Sequence, residues 1–318
     1  MSDRIDRDIS NDGIDRRGFL KCMAWVGTGV VWSLSSGGVL TSRAFGEPAP
    51  ASEAQATASF VQISDSHVGF AKEPNKDVIA TFNRAVEKIN ALPRQPDVLL
   101  HTGDLTHLAK AEEFDAVAQI LKGAKAGQNF FVPGEHDVFT DEGKLYLERF
   151  GRGTRGLGWH SFDLRGVHFV GLVNVANLQP GGLGTLGPEQ LNWLKEDLRG
   201  VASSTPLVVY AHVPLWMVYP KWGWGTADSE AALALMRRFA AVTVLNGHIH
   251  QVLQKTEGNI TFHTARSTAF PQPEPGKAES PGPIKHVAAD RLRSMLGLTR
   301  VDYVEKDHML AVVDSTLE

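Results

Sequence analysis

The sequence predicts an α/β sandwich over residues 58–270, with two β-sheets packed face to face and helices outside them. From Phe60 onward, short apolar runs alternate with amphipathic stretches at helical spacing, which indicates parallel strands joined by helices. At Trp159 this alternation stops, and two apolar runs flank a tight Arg165-Gly166 turn, so a second sheet is expected to begin there. Of the 318 residues, 42% are hydrophobic and 21% are charged, a balance typical of a globular protein with a full core.

The first half of the sandwich is expected to contain three strands and two helices. Val78, Phe82 and Val86 recur at helical spacing, and the apolar runs on either side of them are short enough for buried strands. A Pro-Gly turn ends the third apolar run. In chain order we expect strand 60–63, a helix over 78–89, strand 98–100, a helix over 114–121 and strand 130–132.

The second half is expected to begin with a hairpin over 159–173 and to end with another around Gly258-Asn259. Pro188 suits the first turn of a helix, and three leucines at helical spacing follow it. Between the hairpins we expect a helix from 188, strand 207–210, a helix over 228–239 and strand 242–245.

Two segments follow the sandwich, and neither is expected to belong to a sheet. Residues 271–283 contain five prolines, too many for a helix or strand, so they should form an extended strap across the surface. Residues 284–318 offer a short helix and two strand-like runs, which suffice for an appendage but not for a domain.

The first 50 residues are typical of an export signal. Arg16-Arg17 and an apolar pair precede an uncharged run from Cys22 to Ser42, which resembles a twin-arginine signal peptide. The alternative is an N-terminal membrane anchor, although glycines and serines make this run only weakly hydrophobic. After cleavage between Ala44 and Ala51 no stable membrane span would remain, and the twin-arginine export machinery would deliver a folded protein to the periplasm or the extracellular space.

Charge and composition exclude several classes of protein. The net charge of −4 leaves no basic excess, so the chain is not expected to coat nucleic acid. Twelve histidines against one cysteine exclude disulfide scaffolds and zinc-thiolate folds. The same ratio favours metal chemistry with imidazole and carboxylate ligands.

Groups able to bind a metal follow the predicted strands, at the edge where open α/β sheets place their ligands. In chain order they are Asp65-Ser66-His67, Gly103-Asp104, Gly134-Glu135-His136-Asp137, His212 and Gly247-His248-Ile249-His250. One such group would mean little, because a lone aspartate is usually a turn residue and a lone histidine a satisfied core group. Five in succession predict one site, and oxygen and imidazole ligands without sulfur suit Mn, Fe, Zn or Ni.

This succession resembles the calcineurin-like metallophosphoesterase superfamily, whose motifs are D-x-H, G-D, G-N-H-D or G-N-H-E, a single His, and G-H-x-H. The resemblance covers about residues 60–265, and the short spacings between motifs are most similar to those of class III cyclic nucleotide phosphodiesterases. It implies a two-sheet αββα sandwich with two divalent metal ions at one end. It also implies a small phosphoester substrate, with nucleotides among the candidates.

The resemblance further implies roles for the motif residues. The implied metal ligands are Asp65, His67 and His250 for one ion, His212 and His248 for the other, and Asp104 as the bridge between them. A metal-bridging hydroxide would attack the phosphorus of a phosphodiester or phosphomonoester. His136 would stabilise the transition state or protonate the leaving group, and Asp137 would orient His136.

Glu135 departs from the family pattern, which has asparagine at this position. The carboxylate takes the formal ligand charge from −2 to −3, and the charge of a site with two divalent ions from +2 to +1. Three outcomes are open: Glu135 ligates the second ion, swings out to act as a base, or leaves the second site weak. We expect ligation, because an opposite charge within ~4–6 Å favours the ionised carboxylate. The departure also suggests an alternative function, a metal-binding or redox module with little hydrolytic activity.

Two further features have alternative explanations. The loop over 214–225 contains three of the seven tryptophans, which either form an aromatic wall beside the metals or pack on the rest of the fold. Asn174 and Asn177 follow a strand and could reach a phosphate oxygen, although loop asparagines usually satisfy backbone groups.

Overall fold

The computed structural model describes residues 30–34, 40–44, 57–304 and 309–318. The chain divides after Ala56 into two units. In the first, strand β1 (Val30–Leu34) pairs antiparallel with β2 (Leu40–Ala44). Arg16 and Arg17, on which the export prediction depends, lie outside the described residues. Among the helices of the described residues, none is both long enough and apolar enough to cross a bilayer.

The second unit, Thr57–Glu318, contains a sheet of five strands. Three neighbouring strands at one side of this sheet are parallel, and helices join them in the alternating pattern that the sequence predicts. The strands are β3 (Ala58–Ile63), β4 (Val98–His101), β5 (Gln128–Phe131), β12 (Gly297–Val304) and β13 (Met309–Thr316), in the order β13-β12-β3-β4-β5. The helices are α1 (Val78–Asn90), α2 (Ala111–Leu121) and α3 (Lys144–Phe150).

A sheet of six strands faces the first. Its four inner strands are parallel, and a hairpin closes it at each side. The strands are β6 (His160–Leu164), β7 (Val167–Gly171), β8 (Leu207–Ala211), β9 (Val242–Asn246), β10 (Gln254–Glu257) and β11 (Ile260–Thr264), in the order β10-β11-β9-β8-β7-β6. The helices are α4 (Gly187–Arg199) and α5 (Ser229–Met236), followed further along the chain by α6 (Ala289–Met295).

The core has three layers, as expected for two sheets with helices outside. Phe60 and Leu100 of the first sheet meet Phe169 and Tyr210 of the second, and all four are fully buried. Separate apolar clusters lie between each sheet and its helices. The predicted α/β sandwich is therefore confirmed.

The C-terminal residues form part of the first sheet, and the expectation of an appendage over 284–318 is wrong. Strand β12 pairs antiparallel with β3, from Thr299 opposite Gln62 to Tyr303 opposite Ala58. Val301 and Tyr303 face the second sheet, whereas Leu298 faces the helices. The strand is thus buried on both faces, and its partner lies more than two hundred residues away in the chain, where local patterning cannot reveal it.

The parallel strands of both sheets end at the same edge of the sandwich. Loops after β3 and β4 in one sheet and after β8 and β9 in the other therefore meet there. This is the edge at which α/β sheets place their sites, and it holds the predicted metal motifs.

Candidate metal centre

The seven predicted metal ligands converge at this edge, in groups whose ligand atoms lie within 4.8 Å of one another. Asp65, His67 and His250 form one group. The His250 Nε2 atom lies 3.2 Å from Asp65 Oδ1 and 3.3 Å from His67 Nε2. This is the set that the sequence assigns to the first ion.

Glu135, His212 and His248 form a second group. Glu135 Oε2 lies 2.9 Å from His212 Nε2, and Glu135 Oε1 lies 3.0 Å from His248 Nδ1. The glutamate therefore points toward the two histidines of the second set and does not swing out of the site.

Asp104 lies between the two groups. Its Oδ2 atom is 3.4 Å from His67 Nε2 in the first group and 3.4 Å from His212 Nε2 in the second. One carboxylate oxygen thus faces both sets, the position that a bridging ligand requires.

The hydrogen bonds of two histidines place their outer nitrogens on backbone carbonyls, so that the inward-facing atoms are acceptors whenever the rings are neutral, as they are when they bind a metal. His212 Nδ1 donates to the Thr102 carbonyl at 2.7 Å, and His250 Nδ1 donates to the Phe270 carbonyl at 2.6 Å. The Nε2 atom of each neutral ring then carries a lone pair directed into the site. Metal-ligating histidines commonly have such a partner on the outer nitrogen.

Several of the inward-facing atoms are buried without a hydrogen-bond partner. They include His212 Nε2, His248 Nδ1 and Glu135 Oε2. Acceptors this close repel one another unless a proton or cation lies between them. Two ligands ~2.0–2.2 Å from one ion and at right angles to each other are about 3 Å apart, so the observed separations fit a metal.

The electrostatics also fit bound cations. Burial opposes the charge of Glu135, but His248 and His212 hold the pKa of its carboxyl well below the ordinary value. Burial likewise opposes the charge of His212, whereas Asp104 and Glu135 raise the pKa of its imidazole well above the ordinary value. Three carboxylates meet at this centre, and buried charges of one sign are stable only when they are paired or bound to metal.

The backbone of the motif loops is strained at the ligands. Asp65, His67, Asp104, His248 and His250 have φ angles between 41° and 69°, in the left-handed region that residues with side chains rarely adopt. Strain of this kind costs of order 1–3 kcal/mol per residue and collects at functional sites. The loops therefore adopt a less stable backbone conformation, which directs the ligand side chains into the site.

Glycines of the motifs are required by close packing. A Cβ atom on Gly134 would lie 2.1 Å from Asp104 Oδ1, and one on Gly247 would lie 2.1 Å from Ser64 Oγ. Gly103 has a φ of 98° and lies against the His212 ring. The glycines thus allow the ligand loops to approach one another.

His136 points into the site but is oriented differently from the prediction. Its Nδ1 atom donates to the His107 carbonyl at 2.8 Å, which leaves Nε2 free, and its ring stacks on that of His107 with centroids 4.9 Å apart. Burial lowers the pKa of His136, but Asp104 and Glu135 outweigh this and raise it above the ordinary value. His107, which the motif pattern does not include, therefore positions this ring.

Asp137 binds backbone and does not orient His136 as the sequence led us to expect. It is fully buried, and its two oxygens accept hydrogen bonds from the N–H groups of Gly134, Leu105 and Thr106 and from the Thr106 hydroxyl, at 2.9–3.0 Å. Because these donors belong to the Asp104 loop and the His136 loop, Asp137 holds the two loops together.

A cavity of about 560 Å³ opens above the motif residues. His67, Asp104, Glu135 and His136 line its inner part. The remaining lining residues are Phe70, Lys72, Glu73, His107, Phe270, Gln272, Gly282, Pro283, Lys285 and His286. Six of these belong to the proline-rich strap or its flanks, so the strap forms a wall of the site.

The family match agrees with this geometry. The model of the calcineurin-like phosphoesterases matches residues 58–252, which include every motif described above. The chain belongs to the calcineurin-like phosphoesterase family. It is accordingly a metal-dependent phosphoester hydrolase, and the groups at the sheet edge are candidates for holding its metal.

Related proteins include two phosphodiesterases by name. A probable cyclic nucleotide phosphodiesterase of Synechococcus sp. (strain WH7803) is 30% identical over 209 residues, which are 60% of this chain and 74% of the relative. The glycerophosphodiester phosphodiesterase GpdQ of Enterobacter lignolyticus (strain SCF1) is 24% identical over 222 residues, 66% of this chain and 77% of that protein. Among solved structures, a dimetal phosphatase from Danio rerio shares the fold, with a TM-score of 0.60 and 14% identity over 82% of this chain and 99% of that one.

The tryptophan-containing loop and Asn174 have structural roles. Trp224 is buried, and Trp216 packs against Phe262 with ring centroids 5.0 Å apart. Among the described residues that line the cavity there is no tryptophan, so this loop packs on the fold. Asn174 is buried and donates to the Val213 carbonyl and the Thr226 hydroxyl, which is the backbone-satisfying role.

Proposed function

We propose that the protein hydrolyses phosphodiesters at a dinuclear metal centre. The observation that supports this best is the position of Asp104, whose Oδ2 atom is equidistant from His67 and His212 at 3.4 Å. Two separate groups of ligand atoms with a shared carboxylate between them suit two ions, whereas one ion would leave one group unused.

The assignment of ligands follows the two groups. Asp65, His67 and His250 would hold one divalent ion, Glu135, His212 and His248 the other, and Asp104 both. Nitrogen and oxygen ligands without sulfur suit Mn, Fe, Zn or Ni. When bound, such ions would clamp the phosphate oxygens, lower the pKa of a water and neutralise the leaving oxygen.

His136 would act as the general acid. Because its Nδ1–H is fixed on the His107 carbonyl, any proton that it transfers to substrate leaves from Nε2, which faces the cavity. In the reaction, a water that has given one proton to solvent bonds through its oxygen to phosphorus, and the bond from phosphorus to the leaving alcohol breaks. The alcohol oxygen takes the proton from His136 Nε2, and His136 then regains a proton from solvent.

The named relatives and the charge of the metal centre both favour diesters over monoesters as substrates. The Synechococcus and Enterobacter relatives are both named for phosphodiester substrates. Glu135 lowers the positive charge of the centre, which weakens attraction for a dianionic monoester more than for a monoanionic diester. A cavity of about 560 Å³ has room for both alcohol parts.

Metal analysis and kinetics on bis(p-nitrophenyl) phosphate test this function. We expect Mn-reconstituted protein to hold two ions per chain and to turn over the diester. His136→Ala should lower kcat by ~10²–10⁴ without changing metal content, whereas Asp104→Ala should lower both. Asp290→Ala, at an exposed position of α6, is the matched control. Full activity with one ion per chain would refute the dinuclear centre.

We also propose export by the twin-arginine route to the periplasm or the extracellular space. The support is Arg16-Arg17 and the uncharged run behind it. Folding before export would let the chain bind its metal inside the cell, because raw affinity outside would favour copper and zinc. Replacing both arginines with lysine should retain precursor in the cytoplasm, and equal amounts of mature protein outside would refute the proposal.

A further inference from the structure

The proline-rich strap is attached to the metal motifs where it begins. The carbonyl of Phe270 accepts the hydrogen bond from His250 Nδ1, and the Phe270 ring stacks on His67 with centroids 4.7 Å apart. Gln272 Nε2 donates to the carbonyl of His248 at 3.3 Å. The start of the strap therefore has a defined position relative to three of the metal ligands.

The strap then returns to the same cavity. Ile284 N–H donates to the Pro271 carbonyl at 3.0 Å, which closes the strap into a loop and places Lys285 beside its beginning. Lys72 reaches the cavity from the segment after β3. Two cationic side chains from distant parts of the chain thus line one site.

Neither of these lysines has a side-chain partner of its own among the described residues. Within residues 57–304 and 309–318, neither Lys72 nor Lys285 forms an ion pair or a side-chain hydrogen bond, whereas Lys76 pairs with Glu73 at 2.7 Å. Both are exposed, while His67 and Asp104 at the inner end of the cavity are 2% exposed. The lysines therefore lie at the mouth, and the metal ligands lie at the bottom.

Apolar side chains line the cavity between its two ends. Phe70 and Phe270 contact each other with ring centroids 4.5 Å apart, and Pro283 lies on the same lining. A charge attracts an opposite charge more strongly beside low-dielectric walls than in open water. A substrate with its phosphate at the metals would extend one ester arm past these rings toward the lysines.

We propose that Lys72 and Lys285 bind a second anionic group, a carboxylate or phosphate on an ester arm of the substrate. The inference rests on the proposed function, since the metal centre must bind the scissile phosphate. It narrows the substrate class to phosphodiesters that carry an additional negative charge. Lysine suits this role because its ammonium acts as a point charge toward anions of either kind.

The test compares two diesters with the same leaving group. Phenyl p-nitrophenyl phosphate carries one negative charge, and p-carboxyphenyl p-nitrophenyl phosphate carries two. We expect the wild-type protein to prefer the second by about fivefold in kcat/KM, mainly through KM, and added salt to reduce this preference.

Variants at the lysines should abolish the preference selectively. Lys285→Gln and Lys72→Gln should each lower kcat/KM for the carboxylated diester several-fold more than for the plain diester, and Lys285→Arg should retain the preference. Lys277→Gln is the matched control, because Lys277 is an exposed lysine of the strap that does not line the cavity.

Other results would overturn the inference. Equal losses on both diesters would mean that the lysines serve the scissile phosphate or merely hold the strap, and no loss on either would make them bystanders. A wild-type protein that hydrolyses neither diester would instead refute the proposed function. The two failures are therefore distinguishable.

Discussion

Replacing Asp137 with asparagine tests whether this residue acts through stability or through His136. Its two carboxylate oxygens accept four hydrogen bonds, two each, from the loops of Asp104 and His136. Asparagine keeps one carbonyl oxygen and places an NH₂ group where the other oxygen lay. With the NH₂ group toward Leu105 and Gly134, two backbone donors lose their acceptor. With it toward Thr106, only the Thr106 N–H does, because the hydroxyl can turn and accept from the NH₂ group.

The size of the effect follows from this count. The variant takes the cheaper orientation, which leaves one buried donor without a partner at a gross cost of ~1–3 kcal/mol. Burial and the nearby Asp104 charge raise the pKa of Asp137 to about 7, and removing that unfavourable charge offsets part of the loss. We expect the free energy of unfolding to fall by a net ~1–2 kcal/mol.

Urea unfolding of the metal-free protein, followed by tryptophan fluorescence, measures this loss of unfolding free energy. The measurement is made at about pH 8 so that Asp137 is ionised in the wild type. Asp290→Asn, an exposed aspartate on α6, is the control. The reasoning fails if Asp137→Asn unfolds within ~0.5 kcal/mol of the wild type while kcat falls more than about tenfold, because that result would mean a role in the chemistry.

Two other predictions concern the second metal group and a buried histidine of β7. Glu135→Asn removes a ligand charge, so retention of the second ion should weaken by about tenfold or more while turnover of anionic phosphoesters rises. Unchanged metal content and rate would make Glu135 a bystander. Burial lowers the pKa of His168, but hydrogen bonds to Asp197 and Asp163 raise it above the ordinary value. A raised folded-state pKa stabilises the protein fully below the unfolded-state value, and the stability is lost as pH rises through the folded-state value. The unfolding free-energy difference between wild type and His168→Asn should therefore shrink from about pH 6 to about pH 9, and a constant difference would contradict the charged pair.

Much of the fold and the identity of the metal-facing residues could be predicted from the sequence. The alternation of apolar runs and amphipathic stretches predicted the sandwich, because strand and helix periods are local properties of the chain. Asp65, Asp104, His212 and His248 follow predicted strands, and parallel strands end at one edge. Convergence of these side chains could therefore be expected before any contact was known.

Only the tertiary structure determines the contacts between segments that are distant in the sequence. Asp137 adjoins His136 in sequence, yet it holds a loop some thirty residues earlier, while the His107 carbonyl orients the His136 ring. Strand β12 finds β3 across more than two hundred residues, and the strap becomes a wall of the cavity. Periodicity and turn chemistry report on neighbours in the chain. By contrast, the partner of a buried hydrogen-bonding group, or of an unpaired strand edge, is determined only when the sheets and helices pack together.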